Sequence, residues 1–222
     1  METPRIAILV PALNEEKTIA NVVRGALRFG DVFVSDDGST DKTAEVAKRS
    51  GATILSQGNT QGYNPALNFG YQSLLNKGYF GIATIDADGQ HSSDDLHFFV
   101  EGLLQGFDIV VGIRPRKARV MESVFGIITN YLWGVKDPLC GMKAYNVKIL
   151  RDKEPLGTYN SIGTEILMCS LASGLKVRSI PISGGDRDGT SRFAGKLRAN
   201  FLIWIALLNA LRRIRLWRAT GG

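Results

Sequence analysis

The sequence has few cysteines and no long apolar run. Cys140 and Cys169 are the two cysteines among 222 residues. They are too few for a disulfide framework or a cysteine-rich metal cluster, so a reducing cytoplasm is the expected compartment. No apolar run reaches the roughly 18–20 residues that a helix needs to cross a bilayer. The phosphate-binding patterns GxGxxG and GxxxxGK[ST] are also missing, which argues against a dinucleotide-binding fold and a P-loop enzyme.

Charge is divided unevenly along the chain, although the net charge is only +6. Residues 1–112 carry 8 Lys/Arg and 14 Asp/Glu, whereas residues 113–222 carry 19 Lys/Arg and 7 Asp/Glu. This division suggests an acidic or metal-holding half joined to a half that meets anions. A solvated charged surface is the ordinary alternative.

Short apolar runs alternate with helical patterns. Strands are predicted at residues 5–10, 31–35, 52–56, 79–85 and 107–113, with helices between them at 15–30, 39–51, 65–78 and 92–106. A looser region follows, with a helix at 120–133, a turn and strand within 137–146, a helix at 161–174 and a strand at 175–182. This order predicts an α/β fold whose mostly parallel central sheet has helices on both faces.

Three polar clusters follow predicted strands: "PALNEE" after the first, "SDDGSTD" after the second and "DADGQH" after the fourth. Ligands of open parallel sheets collect beyond the carboxyl ends of the strands. The three clusters therefore predict one cleft at this edge of the sheet.

The cluster "DADGQH" places two carboxylates one residue apart. In an extended chain Asp86 and Asp88 point the same way, and Gln90 adds another oxygen. Such hard oxygen ligands suit Mg²⁺ or Mn²⁺ bound to phosphates. The alternative is a surface turn before the next helix, for which Ser92 and Asp95 form a capping-box pattern. His91 is a neighbour or ligand of the metal on the first interpretation and a cap-region residue on the second.

The other two clusters have partly structural explanations. Gly38 to Asp41 suit a turn and a helix N-cap, but these roles leave the pair Asp36 and Asp37 unexplained. Carboxylates at a strand end can accept hydrogen bonds from a base N–H or from ribose hydroxyls. In the first cluster Asn14 is a candidate cap, and Glu15 is expected at the mouth of the cleft.

Seven segments carry a family resemblance: "ILVPALNEE", "VSDDGSTDKT", "ATIDADGQH", "VVGIR", "DPLCGMKAY", "TEILMCSLASGLKVRSIPI" and "DRDGTSR". In order and spacing they resemble family 2 glycosyltransferases of the GT-A fold. The resemblance is strongest to the branch of dolichol-phosphate mannose synthase and bacterial polyprenyl-phosphate glycosyltransferases. It covers roughly residues 5–195, and it implies the GT-A fold and a transfer with inversion at the sugar.

The resemblance also implies roles for particular residues. Its nucleotide-sugar residues would be Pro11, Leu13, Glu15, Asp36, Asp37, Asp86 and Ala87, and its Mg²⁺ or Mn²⁺ ligands Asp86, Asp88 and Gln90. Its acceptor-phosphate residues would be Arg114, Arg119, Ser123, Arg187, Ser191 and Arg192. Asp88 and Asp137 would take part in catalysis, Asp137 near the reacting centre. A turn before Pro138 is the alternative role for Asp137.

The chain departs from the family pattern in several places. "NTQGYNPA" stands where a glycine-rich "NxGKGxA" is common, which leaves the donor-phosphate contacts near Gln61–Tyr63 open. Arg192 replaces a usual lysine, and "CGMKAY" replaces "GGFRAY"-like sequences. The "ED" and "QxxRW" motifs of polysaccharide-synthesising relatives are missing, which argues against a sugar acceptor. A sugar hydroxyl needs a positioned general base, whereas a polyprenyl phosphate is already ionised near neutral pH.

The final segment, residues 196–222, is apolar at its centre and basic at both ends. It is predicted to form an amphipathic helix at a membrane interface, with Trp204 and Trp217 as anchors, following a catalytic domain of residues 1–195. A helix packed on the sheet, or one that forms a homo-oligomer, is the alternative.

Together these features predict an inverting glycosyltransferase. It would move a sugar from a UDP- or GDP-linked donor to polyprenyl phosphate at the cytoplasmic membrane face. The alternatives are a GT-A enzyme with a sugar or other soluble acceptor, and a non-catalytic module that binds nucleotide sugar or anionic lipid. Nucleic-acid binding through the basic half is disfavoured, since it gives the acidic strand ends no role.

Overall fold

The computed structural model describes residues 4–56, 58–115, 120–152 and 162–184. The strands are β1 (Ile6–Ala12), β2 (Asp31–Asp36), β3 (Thr53–Ser56), β4 (Gly81–Thr84), β5 (Ile109–Ile113), β6 (Lys143–Asn146) and β7 (Val177–Pro181). The helices are α1 (Ile19–Ala26), α2 (Thr43–Arg49), α3 (Tyr63–Leu74), α4 (Leu96–Leu104), α5 (Val120–Trp133), α6 (Val147–Asp152) and α7 (Ile162–Ala172), with a 3₁₀ turn at Ser93–Asp95. The predicted α/β alternation is confirmed, and α6 is an addition to it.

The seven strands form one sheet in the order β3-β2-β1-β4-β6-β5-β7. All neighbouring strands are parallel except β6, which runs antiparallel to both β4 and β5. Thr84 at the end of β4 pairs with Lys143 at the start of β6. The turn that precedes β6 therefore lies at the same edge of the sheet as the loop that follows β4.

The sheet is covered on both faces, as its apolar strands require. Every residue of β1 is buried, and its side chains alternate between two clusters of apolar residues. Ala7 and Leu9 pack with Leu67 and Tyr71 of α3 on one face, while Ile8 packs in the cluster of the opposite face. Strands buried on both faces are typical of parallel sheets, and each fully buried Leu or Ile contributes roughly 1.5–3 kcal/mol to folding.

Asp95 corrects one sequence-based expectation. The Ser92 side chain caps the 3₁₀ turn by accepting a hydrogen bond from the Asp94 amide. Asp95, however, does not complete a capping box: its buried carboxylate accepts hydrogen bonds from the amide and hydroxyl of Ser183, just beyond β7. The Ser183 amide thus takes the place of the Ser92 amide, which is the donor in a capping box.

None of the helices in the described ranges has the length and apolar character that crossing a membrane requires. The predicted amphipathic helix at residues 196–222 lies outside the described residues, as does the end of the predicted catalytic domain.

Candidate functional site

The first two polar clusters are held together by hydrogen bonds between their loops. Asn14, with a left-handed φ of 54°, donates its amide to Ser39 Oγ (3.0 Å), and its side-chain oxygen accepts the Thr40 amide (2.9 Å). The Glu15 amide donates to Thr43 Oγ1 at 2.7 Å. These contacts occupy the segment before α1, so the helix begins at Ile19 and not at the predicted residue 15. The predicted nucleotide-sugar residues Pro11 (buried) and Leu13 (half-buried) lead into this loop.

The adjacent acids Asp36 and Asp37 are both buried and both bonded within the protein. Asp36 accepts hydrogen bonds from the amide and hydroxyl of Ser39, which closes the turn after β2. The Asp37 carboxylate accepts the backbone N–H groups of Gln61 (2.7 Å) and Gly62 (2.8 Å). Asp37 therefore fixes the segment before α3 to the end of β2. Nucleoside binding by this pair stays a prediction.

Asp86 lies where three loops of the site meet. Its Oδ1 accepts a hydrogen bond from the Tyr63 hydroxyl at 3.0 Å, and its Oδ2 lies 3.6 Å from His91 Nε2. Burial raises the pKa of Asp86, but the contacts with His91 and Tyr63 outweigh burial and hold the pKa below its ordinary value. Asp86 is therefore ionised at neutral pH.

The turn before β6 packs directly against this carboxylate. Gly141 comes so close that a Cβ atom added to it would lie 2.2 Å from Asp86 Oδ2. His91 is buried, and its Nδ1 has no hydrogen-bond partner among the described residues. Oδ2 is thus the Asp86 oxygen closer to His91 and to the turn before β6, and Oδ1 is the oxygen that accepts from Tyr63.

Asp88 and Gln90 follow in a half-buried turn that contains Gly89, whose φ is 74°. The Gln90 amide donates to Asp88 Oδ1 at 3.1 Å. No cluster of three or more His, Cys, Asp or Glu side chains forms a ready-made metal site among the described residues. Two carboxylates beside an amide nevertheless fit Mg²⁺ or Mn²⁺, which is commonly held by one or two carboxylates together with substrate phosphates.

A cavity of about 80 Å³ lies beside Asp86, between α3, β6 and α7. Lys143 lines this cavity; it is buried, and its Nζ donates to the Cys140 carbonyl. Burial lowers the pKa of Lys143. The sequence did not identify Lys143 as a site residue, and it marked the Gln61–Tyr63 region as open without indicating the contact between Tyr63 and Asp86. The one available signal for Lys143 was a lysine within the short strand that follows "CGM".

Arg114 and Asp137 form an ion pair between the end of β5 and the turn before β6. Arg114 Nε donates to Asp137 Oδ2 (2.8 Å), and Nη2 donates both to Asp137 Oδ1 (2.9 Å) and to Glu122 Oε2 (3.0 Å). Burial raises the pKa of Asp137, but the paired guanidinium outweighs it and holds that pKa below its ordinary value. Asp137 is thus more than a turn residue before Pro138. Its contacts position Arg114, and its predicted catalytic role stays a prediction.

Only part of the predicted acceptor-phosphate set can be located. Arg114 follows β5, and Ser123 lies half-buried on α5 one residue after Glu122. Arg119, Arg187, Ser191 and Arg192 lie outside the described residues. The Arg114 hydrogen bonds to described residues are made by its backbone N–H, Nε and Nη2.

Comparisons with known proteins agree with this architecture. Residues 7–153 match the family model described as Glycosyl transferase family 2. A dolichyl-phosphate hexose transferase of Haloferax volcanii is 30% identical over 207 residues, covering 86% of this chain and 88% of that protein. An uncharacterised protein of Methanocaldococcus jannaschii is 31% identical over 196 residues, covering 80% of each.

The fold also matches solved structures. One is glucosyl-3-phosphoglycerate synthase from Mycobacterium tuberculosis in complex with Mn²⁺, uridine diphosphate and glucosyl-3-phosphoglycerate. Its TM-score is 0.76 at 22% identity, over 96% of this chain and 80% of that one. This likeness confirms the predicted GT-A fold. The divalent ion in that structure is in accord with the cofactor expected from the sequence.

Proposed function

Because the chain belongs to glycosyl transferase family 2, we propose that it is an inverting glycosyltransferase that moves a sugar from a nucleotide-diphosphate sugar to a polyprenyl phosphate. The observation that carries the proposal is the meeting of two kinds of side chain at one edge of the sheet. Carboxylates follow β1, β2 and β4, and the Arg114 cluster follows β5. The first set suits a donor held with a metal, and the second suits an anionic acceptor.

The donor side would be formed by the loops that follow β1, β2 and β4. Glu15 and the pair Asp36 and Asp37 are the candidates for the nucleoside, since they belong to the loops after β1 and β2 that the hydrogen bond between Asn14 and Ser39 joins. A divalent ion on Asp86 and Asp88, with Gln90 beside them, would neutralise the diphosphate as it leaves. Asp86 is suited to this role because its lowered pKa keeps it ionised.

The acceptor side supports a phosphate more than a hydroxyl. The two acids that are closest to Arg114, Asp137 and Glu122, are buried and hydrogen-bonded to its guanidinium. Asp137 is a poor general base, because the Arg114 guanidinium holds its pKa below the ordinary value and both its oxygens already accept hydrogen bonds. Glu122 Oε2 likewise accepts a hydrogen bond from Arg114. A phosphate oxygen needs no base to attack the anomeric carbon, and Arg114 would bind and orient the phosphate.

The surface near this cluster supports a lipid acceptor. Helix α5, which carries Glu122, exposes Ile127 (68%) and Tyr131 (87%) one helical turn apart. Exposed apolar side chains on the helix that also supplies Glu122 to the Arg114 cluster suit an acceptor that joins a phosphate to an apolar chain. The name of the Haloferax volcanii relative, dolichyl-phosphate hexose transferase, points to the same class of acceptor.

A soluble phosphorylated acceptor is the second candidate. The structurally similar glucosyl-3-phosphoglycerate synthase was crystallised with glucosyl-3-phosphoglycerate, a soluble phosphorylated compound. Arg114 would suit any accessible phosphate. The two candidates share the donor and differ in what the acceptor phosphate is attached to.

An acceptor panel would test the proposal. The purified full chain would receive radiolabelled UDP- and GDP-sugars with Mn²⁺, and either a short-chain polyprenyl phosphate in detergent, phosphoglycerate or no acceptor. We expect label in the lipid alone. Label in phosphoglycerate with none in the lipid would overturn the proposal in favour of the second candidate.

Matched variants would test the metal assignment in the same assay. Asp88→Ala should abolish transfer. Asp94→Ala removes an exposed carboxylate that pairs with surface Arg28, outside the site, and should leave transfer unchanged. Equal activity of the two variants would contradict the role given to Asp88.

A further inference from the structure

The segment of residues 59–63, called here the 59–63 segment, is fastened at both ends of the candidate donor site. At one end Asp37 binds the amides of Gln61 and Gly62. At the other end Tyr63, the first residue of α3, donates its hydroxyl to Asp86 Oδ1. The segment thus connects the end of β2 with the end of β4. It is also the place where the chain departs from the glycine-rich pattern of the family.

The Tyr63 contact holds the Oδ1 oxygen of Asp86. Oδ2 is the oxygen that His91 Nε2 approaches, at 3.6 Å, and it is also the one closer to Gly141, where an added Cβ would lie 2.2 Å from Oδ2 and 2.9 Å from Oδ1. Oδ1 is therefore the less crowded oxygen, and it has two lone pairs, of which the tyrosine hydroxyl uses one. A hydrogen bond to one lone pair leaves the other for a metal while it fixes the orientation of the carboxylate.

The backbone around Tyr63 holds the residue in a position from which its hydroxyl reaches Asp86. Tyr63 is 44% exposed as a residue and lines the cavity beside Asp86, so packing alone does not account for its position. Gly62 reaches a φ of 106° immediately before it, a conformation that turns the backbone into α3 and directs Tyr63 towards β4. Asp37 holds this turn through two backbone amides.

We propose that Tyr63 is a positioning residue of the metal site, whose hydroxyl orients Asp86 to bind the divalent ion. The inference rests on the proposed function, in which Asp86 is a metal ligand. Carboxylates that bind metals are themselves commonly hydrogen-bonded, and loss of such a partner typically lowers metal affinity about 10- to 100-fold. The 59–63 segment would also join the nucleoside and metal parts of the site, because Asp37 holds the backbone that carries Tyr63.

Direct metal binding is the appropriate test. Mn²⁺ would be titrated into the purified full chain without nucleotide, and bound Mn²⁺ measured by water-proton relaxation and by the electron paramagnetic resonance signal of the free ion. We expect Tyr63→Phe to weaken Mn²⁺ binding about tenfold, since it removes the hydroxyl and keeps the ring. An affinity within twofold of wild type, or a tighter one, would overturn the proposal.

The chain offers a matched control for the substitution. Tyr79 donates its hydroxyl to Asp31 at 2.8 Å, and Asp31 begins β2 at the opposite edge of the sheet. Tyr79→Phe therefore removes the same kind of hydrogen bond far from the site and should leave Mn²⁺ affinity unchanged. A loss of affinity as large as that of Tyr63→Phe would assign the effect to general destabilisation and overturn the proposal.

A further variant separates this inference from the metal assignment. Asp86→Asn should abolish Mn²⁺ binding. If it binds Mn²⁺ as wild type does, or if the wild-type chain binds none, then the metal site itself is wrong and the role of Tyr63 is overturned with it. If Asp86→Asn fails to bind and Tyr63→Phe binds normally, the metal site stands and only the Tyr63 proposal is overturned.

Discussion

Gly141 offers a perturbation of the metal site that leaves every candidate ligand in the sequence. Alanine at this position would place its Cβ 2.2 Å from Asp86 Oδ2 and 2.9 Å from Asp86 Cγ. Ordinary contact begins at 3.4 Å, so Oδ2 would have to move by about 1 Å. Since His91 Nε2 already lies 3.6 Å from this oxygen, we expect the carboxylate to rotate away from its present position.

The expected loss can be estimated from this displacement. A misplacement of about 1 Å in a catalytic arrangement can cost on the order of 100-fold in rate, or about 2.7 kcal/mol of transition-state stabilisation. The atoms that must yield belong to the end of one side chain and not to the backbone. We therefore expect Gly141→Ala to lower kcat/KM for sugar transfer about 100-fold while the melting temperature stays within a few degrees of wild type.

A second glycine beside the same cavity is the control. A Cβ on Gly163 of α7 would meet Tyr145 Oη at 3.5 Å and Lys143 Nζ at 3.7 Å, both ordinary contacts. Gly163→Ala should therefore keep the kcat/KM of wild type. Steady-state transfer assays and thermal unfolding of both variants would check the prediction. If Gly141→Ala kept kcat/KM within threefold of wild type, the argument that Asp86 must hold this position would be refuted.

Three further predictions concern the ion pair and the 59–63 segment. Asp137→Asn breaks a buried charge pair and should lower the free energy of unfolding in urea by about 3 kcal/mol; a loss under about 1 kcal/mol would contradict the pairing. Since Arg114 holds the folded-state pKa of Asp137 below its ordinary 3.8, this stabilisation is present above about pH 4 and lost as pH falls further. Wild type should therefore lose stability on acidification more steeply than Asp137→Asn. Equal slopes of unfolding free energy against pH for the two proteins would argue against this contribution of the ion pair. Asp37→Ala should speed hydrogen exchange at the Gln61 and Gly62 amides about tenfold or more, measured by mass spectrometry; unchanged protection would show that Asp37 does not hold them.

Local patterns were sufficient to predict most of the sheet. Each parallel strand is a short apolar run between helical patterns. Such a run indicates a strand that is buried on both faces, even when its neighbouring strands are unknown. For the same reason the acidic strand ends indicated one edge of the sheet, where the structure places Asp37, Asp86 and Asp88. The direction of β6 could not be predicted in this way, because an apolar run carries no information on which neighbour it pairs with or in which sense.

The contacts that the sequence did not indicate are between residues far apart in the chain. Asp95 looked like the end of a capping box, yet it binds Ser183, 88 residues further on. Tyr63 meets Asp86 only because α3 begins where β4 ends, and Arg114 meets Asp137 across the whole of α5. Residue type suggests what each of these side chains can bind, whereas the partner is determined by tertiary packing.

A comparison of two lipids would show whether the acceptor group is a phosphate or a hydroxyl. Transfer of radiolabelled sugar would be measured side by side on a short-chain polyprenyl phosphate and on the matching unphosphorylated polyprenol, with the same donor and Mn²⁺. The account predicts label in the phosphate alone, because Asp137 and Glu122 are committed to Arg114 and neither is suited to deprotonate an alcohol. Comparable transfer to the polyprenol would contradict it, since that reaction requires a general base which the present assignment of the site does not contain.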